Sequence, residues 1–130
     1  MGQARTQTVV LDSGALIAFE RGNGKLRALL REALKSKSKL VVPAGVLAQV
    51  WRDGPRQVLL RGLLNGPTTA VVALDQTLAE ASGTLCGRTR TSDIVDASVV
   101  LTAKRERAVV VTSDVEDLKR LDSTLVLHRI

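Results

Sequence analysis

The chain has 130 residues, 45% of them hydrophobic and 25% charged, which excludes a disordered protein and fits one folded domain over residues 1–130. Its single cysteine excludes an internal disulfide and a cysteine-rich zinc site, in agreement with a reducing, cytoplasmic setting. Charges or glycine interrupt every apolar run, and the first eight residues contain no signal-peptide core, so neither a membrane span nor export is expected. The net charge of +6 favours polyanionic partners such as nucleic acid.

Short apolar segments alternate with helical patterns along the chain. Strands are predicted over residues 9–11, 40–42, 70–74, 108–112 and 124–127. Helices are predicted to start at residues 12–14 and to cover residues 26–34, 43–51, 56–64, 76–85, 94–103 and 115–121, with a loop over 87–91. This alternation predicts an α/β fold in which helices cover both faces of a parallel sheet.

Aspartates stand at the carboxyl ends of two of these strands. Asp12 follows the first strand and Asp114 follows the fourth. Open α/β sheets bind ligands outside the carboxyl ends of their strands, so the two carboxylates converge if these strands are neighbours. Asp93 and Asp96 lie one helical turn apart at the start of a helix, and Asp117 lies three residues after Asp114.

An acidic group of this kind predicts a site for a hard divalent cation. Mg²⁺ and Mn²⁺ prefer oxygen ligands, and two carboxylates about 4 Å apart repel by roughly 4 kcal/mol unless a cation neutralises them. We therefore expect Asp12, Asp96 and Asp114 to be catalytic metal ligands, with Asp93 and Asp117 adding to the metal site. Helix capping or a surface ion pair is the structural alternative for each residue.

The order of these segments resembles that of the PIN-domain ribonucleases, and within them the VapC-type toxins of prokaryotic toxin–antitoxin pairs. The likeness covers nearly the whole chain and depends on residues 9–16, 96–103 and 110–114. It implies a three-layer α/β/α fold with a central five-stranded parallel sheet of order 3-2-1-4-5. It also implies Mg²⁺- or Mn²⁺-dependent cleavage of an RNA substrate by a toxin that has a cognate VapB-like antitoxin. Asp12, Asp96 and Asp114 match the family's metal-site carboxylates.

Gln49 departs from the family pattern, which commonly has Glu on the helix after the second strand. An amide oxygen ligates weakly, carries no charge and cannot act as a base. Asp53 and Asp93 are the candidates to supply the missing carboxylate. The alternative function is therefore a catalytically weak or inactive module of the same fold that binds RNA or a partner.

Substrate contacts are expected from basic and hydroxyl side chains near the predicted cleft: Arg52, Arg88, Arg90, Ser13 and Thr112. Solvated loop charge is the alternative for the arginines. The resemblance further implies that Thr112 or Ser113 orients Asp114 or a bound water. The only histidine, His128, is expected on the last strand, which disfavours histidine-based ribonuclease chemistry.

The predicted helix over residues 56–64 carries more apolar side chains than packing on one sheet face requires: Leu59, Leu60, Leu63 and Leu64. This excess predicts a homodimer seam or a groove for an antitoxin segment, with core packing alone as the alternative. A receiver domain of the response-regulator type is a further α/β possibility. It would need an acidic pair near the first strand and a Lys after the last, and the sequence has neither.

Overall fold

The fold is built on a parallel β-sheet, seen in a computed structural model that describes residues 7–130. These residues form five strands: β1 (Val9–Leu11), β2 (Leu40–Pro43), β3 (Thr69–Val72), β4 (Val109–Thr112) and β5 (Leu127–Arg129). The strands are all parallel, in the order β3-β2-β1-β4-β5. The predicted α/β class and the strand order 3-2-1-4-5 are confirmed.

Helices cover the sheet on both faces. The described residues form α1 (Ser13–Glu20), α2 (Gly24–Lys35), α3 (Ala44–Val50), α4 (Val58–Leu64), α5 (Gln76–Thr89), α6 (Ile94–Glu106) and α7 (Val115–Leu121), with a 3₁₀ turn at Gly54–Arg56. Helix α1 contacts α2 and α4, whereas α5, α6 and α7 contact one another. Right-handed crossovers place these two groups on opposite faces, which gives the predicted three layers.

The core lies on the central strands. Every residue of β1 and β2 is buried, as expected for parallel strands covered on both faces. The edge strands β3 and β5 are only partly buried. The sheet is therefore most rigid around β1 and its neighbours β2 and β4, whose carboxyl ends carry the predicted site.

The end of α5 differs from the prediction. The helix continues to Thr89, so most of the predicted loop over residues 87–91 is helical. Buried Leu78, Ser82 and Cys86 recur every four residues and keep one face of the helix against its neighbours. The helix ends where Arg90 adopts a left-handed conformation with φ of 56°.

Both edge strands are shifted along the sequence from their predicted positions. Strand β5 starts at Leu127 rather than at residue 124, because the Asp122 side chain accepts a hydrogen bond from the Thr124 backbone N–H at 2.8 Å and holds a turn there. Strand β3 stops at Val72, because its partner β2 ends at Pro43, the residue paired with Val72.

Three side chains outside the acidic group have the surroundings expected for structural roles. Cys86 is buried on α5. Trp51 is half-buried against the core, and the Arg61 guanidinium lies 4.6 Å from the centre of its ring. His128 lies exposed on β5, as predicted. Neither the thiol nor the imidazole has a nucleophilic arrangement around it.

Within residues 7–130, no helix has both the length and the apolar character needed to cross a bilayer. The predictions of one domain over residues 1–130 and of a missing export signal both include residues 1–6, which lie outside the described residues.

Candidate active site

Asp12 forms the buried floor of the site. It caps α1 at the carboxyl end of β1, and only 2% of its surface is exposed. One carboxylate oxygen accepts a hydrogen bond from the Ser13 backbone N–H at 2.7 Å, and the other accepts one from the Thr112 hydroxyl at 2.8 Å. The second bond comes from β4, the neighbour of β1, so the expected convergence of the two strand ends is present.

Thr112 connects two of the predicted ligands. Its side chain is fully buried, and its hydroxyl oxygen also accepts a hydrogen bond from the Asp114 backbone N–H at 2.9 Å. The hydroxyl therefore fixes both the Asp12 carboxylate and the start of the segment that carries Asp114. This arrangement favours a positioning role for Thr112 over the direct substrate contact expected from the sequence.

Asp93 and Asp96 come from the first turn of α6. Asp93 caps the helix, and its carboxylate accepts a hydrogen bond from the Asp96 backbone N–H at 2.9 Å. Together with Asp117 from α7, these residues line a small cleft of about 120 Å³. Thr91, Arg120 and Leu121 complete its wall. Asp12 and Asp114 do not line this cleft, but their carboxylates act on Asp96, which does.

The carboxylates interact electrostatically. Burial is the largest cause of a rise in the pKa of Asp96 to about 7, and the neighbouring carboxylates of Asp93, Asp12, Asp114 and Asp117 supply the rest, in that order of size. Burial likewise raises the pKa of Asp12, although its hydrogen bonds from Ser13 and Thr112 oppose the rise. All five predicted acidic residues therefore lie close enough to influence one titrating group.

No basic side chain neutralises the centre of this acidic group. None of the ion pairs among residues 7–130 involves Asp12, Asp93, Asp96 or Asp114. At the rim, Asp117 pairs with Arg120 at 3.6 Å, which is the structural alternative considered for it. An excess of carboxylate oxygens without cationic partners fits the ligand preference of Mg²⁺ or Mn²⁺.

The acidic side chains do not form a closed ligand cage. In the part of the chain that the structure describes, no three His, Cys, Asp or Glu side chains are grouped as a ready metal site. Mg²⁺ commonly keeps several waters and takes one or two carboxylates, so the donor chemistry still fits such an ion. The site therefore combines one buried carboxylate, Asp12, with more exposed carboxylates around it.

Gln49 lies beside this floor. Its side-chain oxygen accepts a hydrogen bond from the Ser13 hydroxyl, the residue next to Asp12. Of the two candidates to replace the missing carboxylate, Asp53 pairs with Arg56 at 3.5 Å on the exposed 3₁₀ turn. Asp93 instead acts directly on Asp96, so it is the better substitute.

The three predicted phosphate-binding arginines are all exposed, but their surroundings differ. Arg52 donates hydrogen bonds to the backbone oxygens of Ala48 and Trp51, at the end of the preceding helix α3. Arg88 lies on α5, and Arg90 immediately precedes Thr91 on the cleft wall. Arg90 is therefore the best placed of the three for a substrate contact.

The sequence analysis singled out neither Arg120 nor Thr91 as a site residue. Both line the acidic cleft. The spacing of Arg120 three residues after Asp117 on one helix was the available signal, because residues at that spacing share a helix face. Thr91 has no comparable signal, since its position depends on how the turn after α5 folds back.

Comparison with known proteins agrees with this architecture. The chain resembles a VapBC2 complex from Rickettsia felis bound to a promoter DNA fragment (TM-score 0.73, 16% identity, 95% of this chain and 99% of that chain). It also resembles FitAcB from Neisseria gonorrhoeae (0.69, 17%, 93% and 96%) and a toxin–antitoxin complex from Klebsiella pneumoniae (0.69, 18%, 94% and 99%). At these identities the likeness concerns the fold.

A comparison with curated protein sequences finds no match. The PIN domain family model, in contrast, matches residues 9–123. This range includes all five acidic residues, the strands β1 to β4 and every α-helix of the described chain. The chain therefore belongs to the PIN domain family.

Proposed function

We propose that this protein is a divalent-metal-dependent ribonuclease that cleaves RNA phosphodiester bonds. The observation that carries the proposal is the uncompensated acidic group around Asp96, whose pKa is raised to about 7 by burial and by its carboxylate neighbours. Perturbed carboxyl groups in a cleft are typical of functional sites, because the fold gains no stability from them. The basic excess of the chain adds attraction for a polyanionic substrate.

Asp12, Asp96 and Asp114 are the residues proposed to hold Mg²⁺ or Mn²⁺, with Asp93 and Asp117 as additional ligands at the rim. When bound, such a cation would neutralise these carboxylates and polarise the phosphodiester. Asp12 is held by its two hydrogen bonds before any ion binds. Asp96 is partly protonated at neutral pH without a cation, so cation binding must displace its proton.

We infer a second role for the chain as the toxin of a toxin–antitoxin pair. The structures with the same fold include VapBC and FitAcB complexes, which supports a VapB-like antitoxin as partner. Among the four leucines expected to form a seam on α4, Leu60 is buried and only Leu59 is largely exposed, at 54%. Its neighbour Val58 is 70% exposed, so the pair Val58 and Leu59 is the proposed contact with an antitoxin or a second copy.

The direct test is RNA cleavage by purified, chelator-treated protein with Mg²⁺ or Mn²⁺ restored, on structured and single-stranded RNA and on DNA. We expect metal-dependent cleavage of RNA that Asp96→Asn lowers by about 100-fold or more, since losing even outer partners of a metal site costs about 10–100-fold. Asp75→Asn is the matched control. Asp75 caps α5 away from the cleft, and Asn caps equally well.

Equal cleavage by Asp96→Asn and the parent protein would refute the assignment. The alternative function, a weak or inactive binding module, is favoured by the position of Gln49 beside Ser13. Gln49→Glu separates the two in the same assay. A weak nuclease that lacks one ligand should cleave faster as Gln49→Glu, whereas a pure binding module should stay inactive with both side chains.

A further inference from the structure

A groove larger than the acidic cleft shares no lining residue with it. It has a volume of about 520 Å³ and begins at Gly14 and Ser113. Gly14 lies two residues after Asp12, and Ser113 immediately precedes Asp114, so the groove starts where the acidic floor ends. Its volume falls in the range of about 300–1,000 Å³ typical of sites for small ligands, which includes a nucleotide.

The wall of the groove is apolar. Ile17 and Ala18 contribute from α1, and Ile130 faces them from the end of β5. The Ile130 backbone N–H donates to the Thr112 carbonyl oxygen at 3.1 Å, so this wall is fixed to the sheet beside the site. Ile17 is 38% exposed, so part of this apolar side chain is available for contact with a base.

The far end of the groove is polar and cationic. Arg21 and Asn23 line it. Arg21 is exposed and takes part in no ion pair among residues 7–130. Asn23 uses its oxygen to cap α2 at 2.9 Å, which leaves its amide N–H groups for another acceptor. The Lys25 ammonium donates to the Arg129 carbonyl oxygen at 3.0 Å and adds a second cation beside Ile130.

We propose that this groove binds the nucleotide next to the scissile phosphate of a single-stranded RNA substrate. The base lies against Ile17 and Ile130, and the following phosphate is bound by Arg21. This inference rests on the proposed nuclease function, because it assumes that a phosphate occupies the acidic cleft. Bound in this way, the RNA would extend from Thr91 and Arg120 in the cleft, past the aspartates, to Arg21.

Two observations favour a nucleic acid over a peptide in this groove. The groove adjoins the acidic site, because its lining residues Gly14 and Ser113 are near neighbours in sequence of Asp12 and Asp114, as a polymer cut at that site requires. Its order of an apolar wall followed by an unpaired cation matches a base followed by a phosphate. A smaller cleft of about 290 Å³ is lined by Val9 and Val109, the first residues of β1 and β4, and lies toward the opposite end of the strands.

The test measures RNA binding separately from cleavage. In the Asp96→Asn background, the affinity for a fluorescent single-stranded RNA of known length is measured over a range of salt concentrations. Arg21→Gln should weaken binding by at least threefold and should reduce the slope of log affinity against log salt by about 0.7, the loss of one phosphate contact. Arg31→Gln removes the same charge from an exposed site on α2 outside the groove and should change binding by less than twofold.

Ile17→Glu and Leu34→Glu form a second matched pair, since both residues are exposed apolar side chains on helices and only Ile17 lines the groove. Only Ile17→Glu should weaken binding. Photocrosslinking of RNA that contains 4-thiouridine should label the segment around Ile17, and melting curves check that each variant is folded.

Three results would each overturn the groove assignment. They are equal effects within either pair of variants, no RNA binding by the parent protein, and displacement of bound RNA only by an acidic peptide. The proposed nuclease function fails separately. If cleavage is unchanged in Arg21→Gln, the proposed nuclease function stands and the groove assignment fails. If Arg21→Gln selectively loses RNA binding in a protein that never cleaves RNA, the groove stands as an RNA-binding site and the nuclease function fails.

Discussion

At the scale of single residues, the site combines one fixed carboxylate with several that compete for protons. Asp12 accepts two hydrogen bonds and is almost fully buried. Asp96 is more accessible and has its pKa raised to about 7. The fold therefore tolerates a charge at Asp96 that disfavours the folded state at neutral pH, and a functional requirement is the simplest reason to keep it.

This charge makes stability depend on pH. The pKa of Asp96 rises from an ordinary 3.8 to about 7 in the folded protein. Between about pH 4 and pH 7 the unfolded chain releases this proton more readily, so the free energy of unfolding decreases as pH rises and stays low above pH 7. In chelator at pH 8, Asp96→Asn should therefore be more stable than the parent protein by about 1–3 kcal/mol.

Urea denaturation at pH 4 and pH 8 checks this. The stabilising effect should be much smaller at pH 4, where the carboxyl is protonated in the folded state and only about half ionised in the unfolded chain. Asp75→Asn, remote from the acidic group, should show no gain specific to pH 8. A stabilisation of Asp96→Asn that was equal at both pH values would contradict the electrostatic explanation.

At the scale of secondary-structure elements, three helices begin at the site. Asp12, Asp93 and Asp114 are the N-cap residues of α1, α6 and α7. The positive ends of helix dipoles face these carboxylates and offset part of their mutual repulsion. The site is therefore an arrangement of helix starts as much as of strand ends, and the distance between α1 and α7 decides its shape.

Gly14 sets that distance. A Cβ atom at this position would collide with the Ser113 hydroxyl and lie 3.1 Å from the Ser113 Cβ. Gly14→Ala should push the loop before α7 away from α1 and destabilise the protein by about 1–2 kcal/mol. Cleavage should fall with it, because Asp114 moves relative to Asp12.

Thermal and urea denaturation measure the loss, and the double change Gly14→Ala with Ser113→Gly should restore most of it. Gly83→Ala on α5 is the control, since an added Cβ there meets nothing within 4 Å. It should stabilise the helix by about 0.5–1 kcal/mol. If both alanine variants behaved alike, close packing at Gly14 would not be the cause.

The acidic residues could be predicted from sequence because each stands at the boundary of a strongly apolar element. Strands β1 and β4 were recognisable from their β-branched runs, and the rule that ligands bind at strand ends then placed Asp12 and Asp114. The contact between Ser13 and Gln49 could not be predicted, because it depends on how α1 and α3 pack together. The start of β5 was misplaced because the turn at Asp122 was missed.

At the scale of the whole molecule, a basic chain surrounds an acidic pocket. The net charge is +6, yet among residues 7–130 only one basic side chain, Arg120, lines the acidic cleft. Basic residues elsewhere attract RNA over long range, while the carboxylates repel a bare phosphate at short range. The divalent cation proposed above would resolve this conflict, and RNA binding is therefore expected to strengthen when the cation is present.

The exposed pair Val58 and Leu59 predicts self-association of the free protein. Burying a leucine contributes about 1.5–3 kcal/mol, so Leu59→Lys should weaken a homodimer by at least about tenfold. Light scattering coupled to gel filtration should show a dimer for the parent protein and a monomer for Leu59→Lys. Val126→Lys, at an equally exposed valine on the last segment, should remain dimeric. A monomeric parent protein would contradict the homodimer.

The hydrogen bonds of Asp12 and Thr112 have an evolutionary consequence. Because this half of the pocket is part of the core, a mutation that altered it would unfold the protein as well as inactivate it. The rim carboxylates Asp93 and Asp117 are exposed, so changes there should disturb the core less. We therefore expect related chains to differ at the rim residues, and so in metal preference and turnover. The residues that correspond to Asp12 and Thr112 should stay the same.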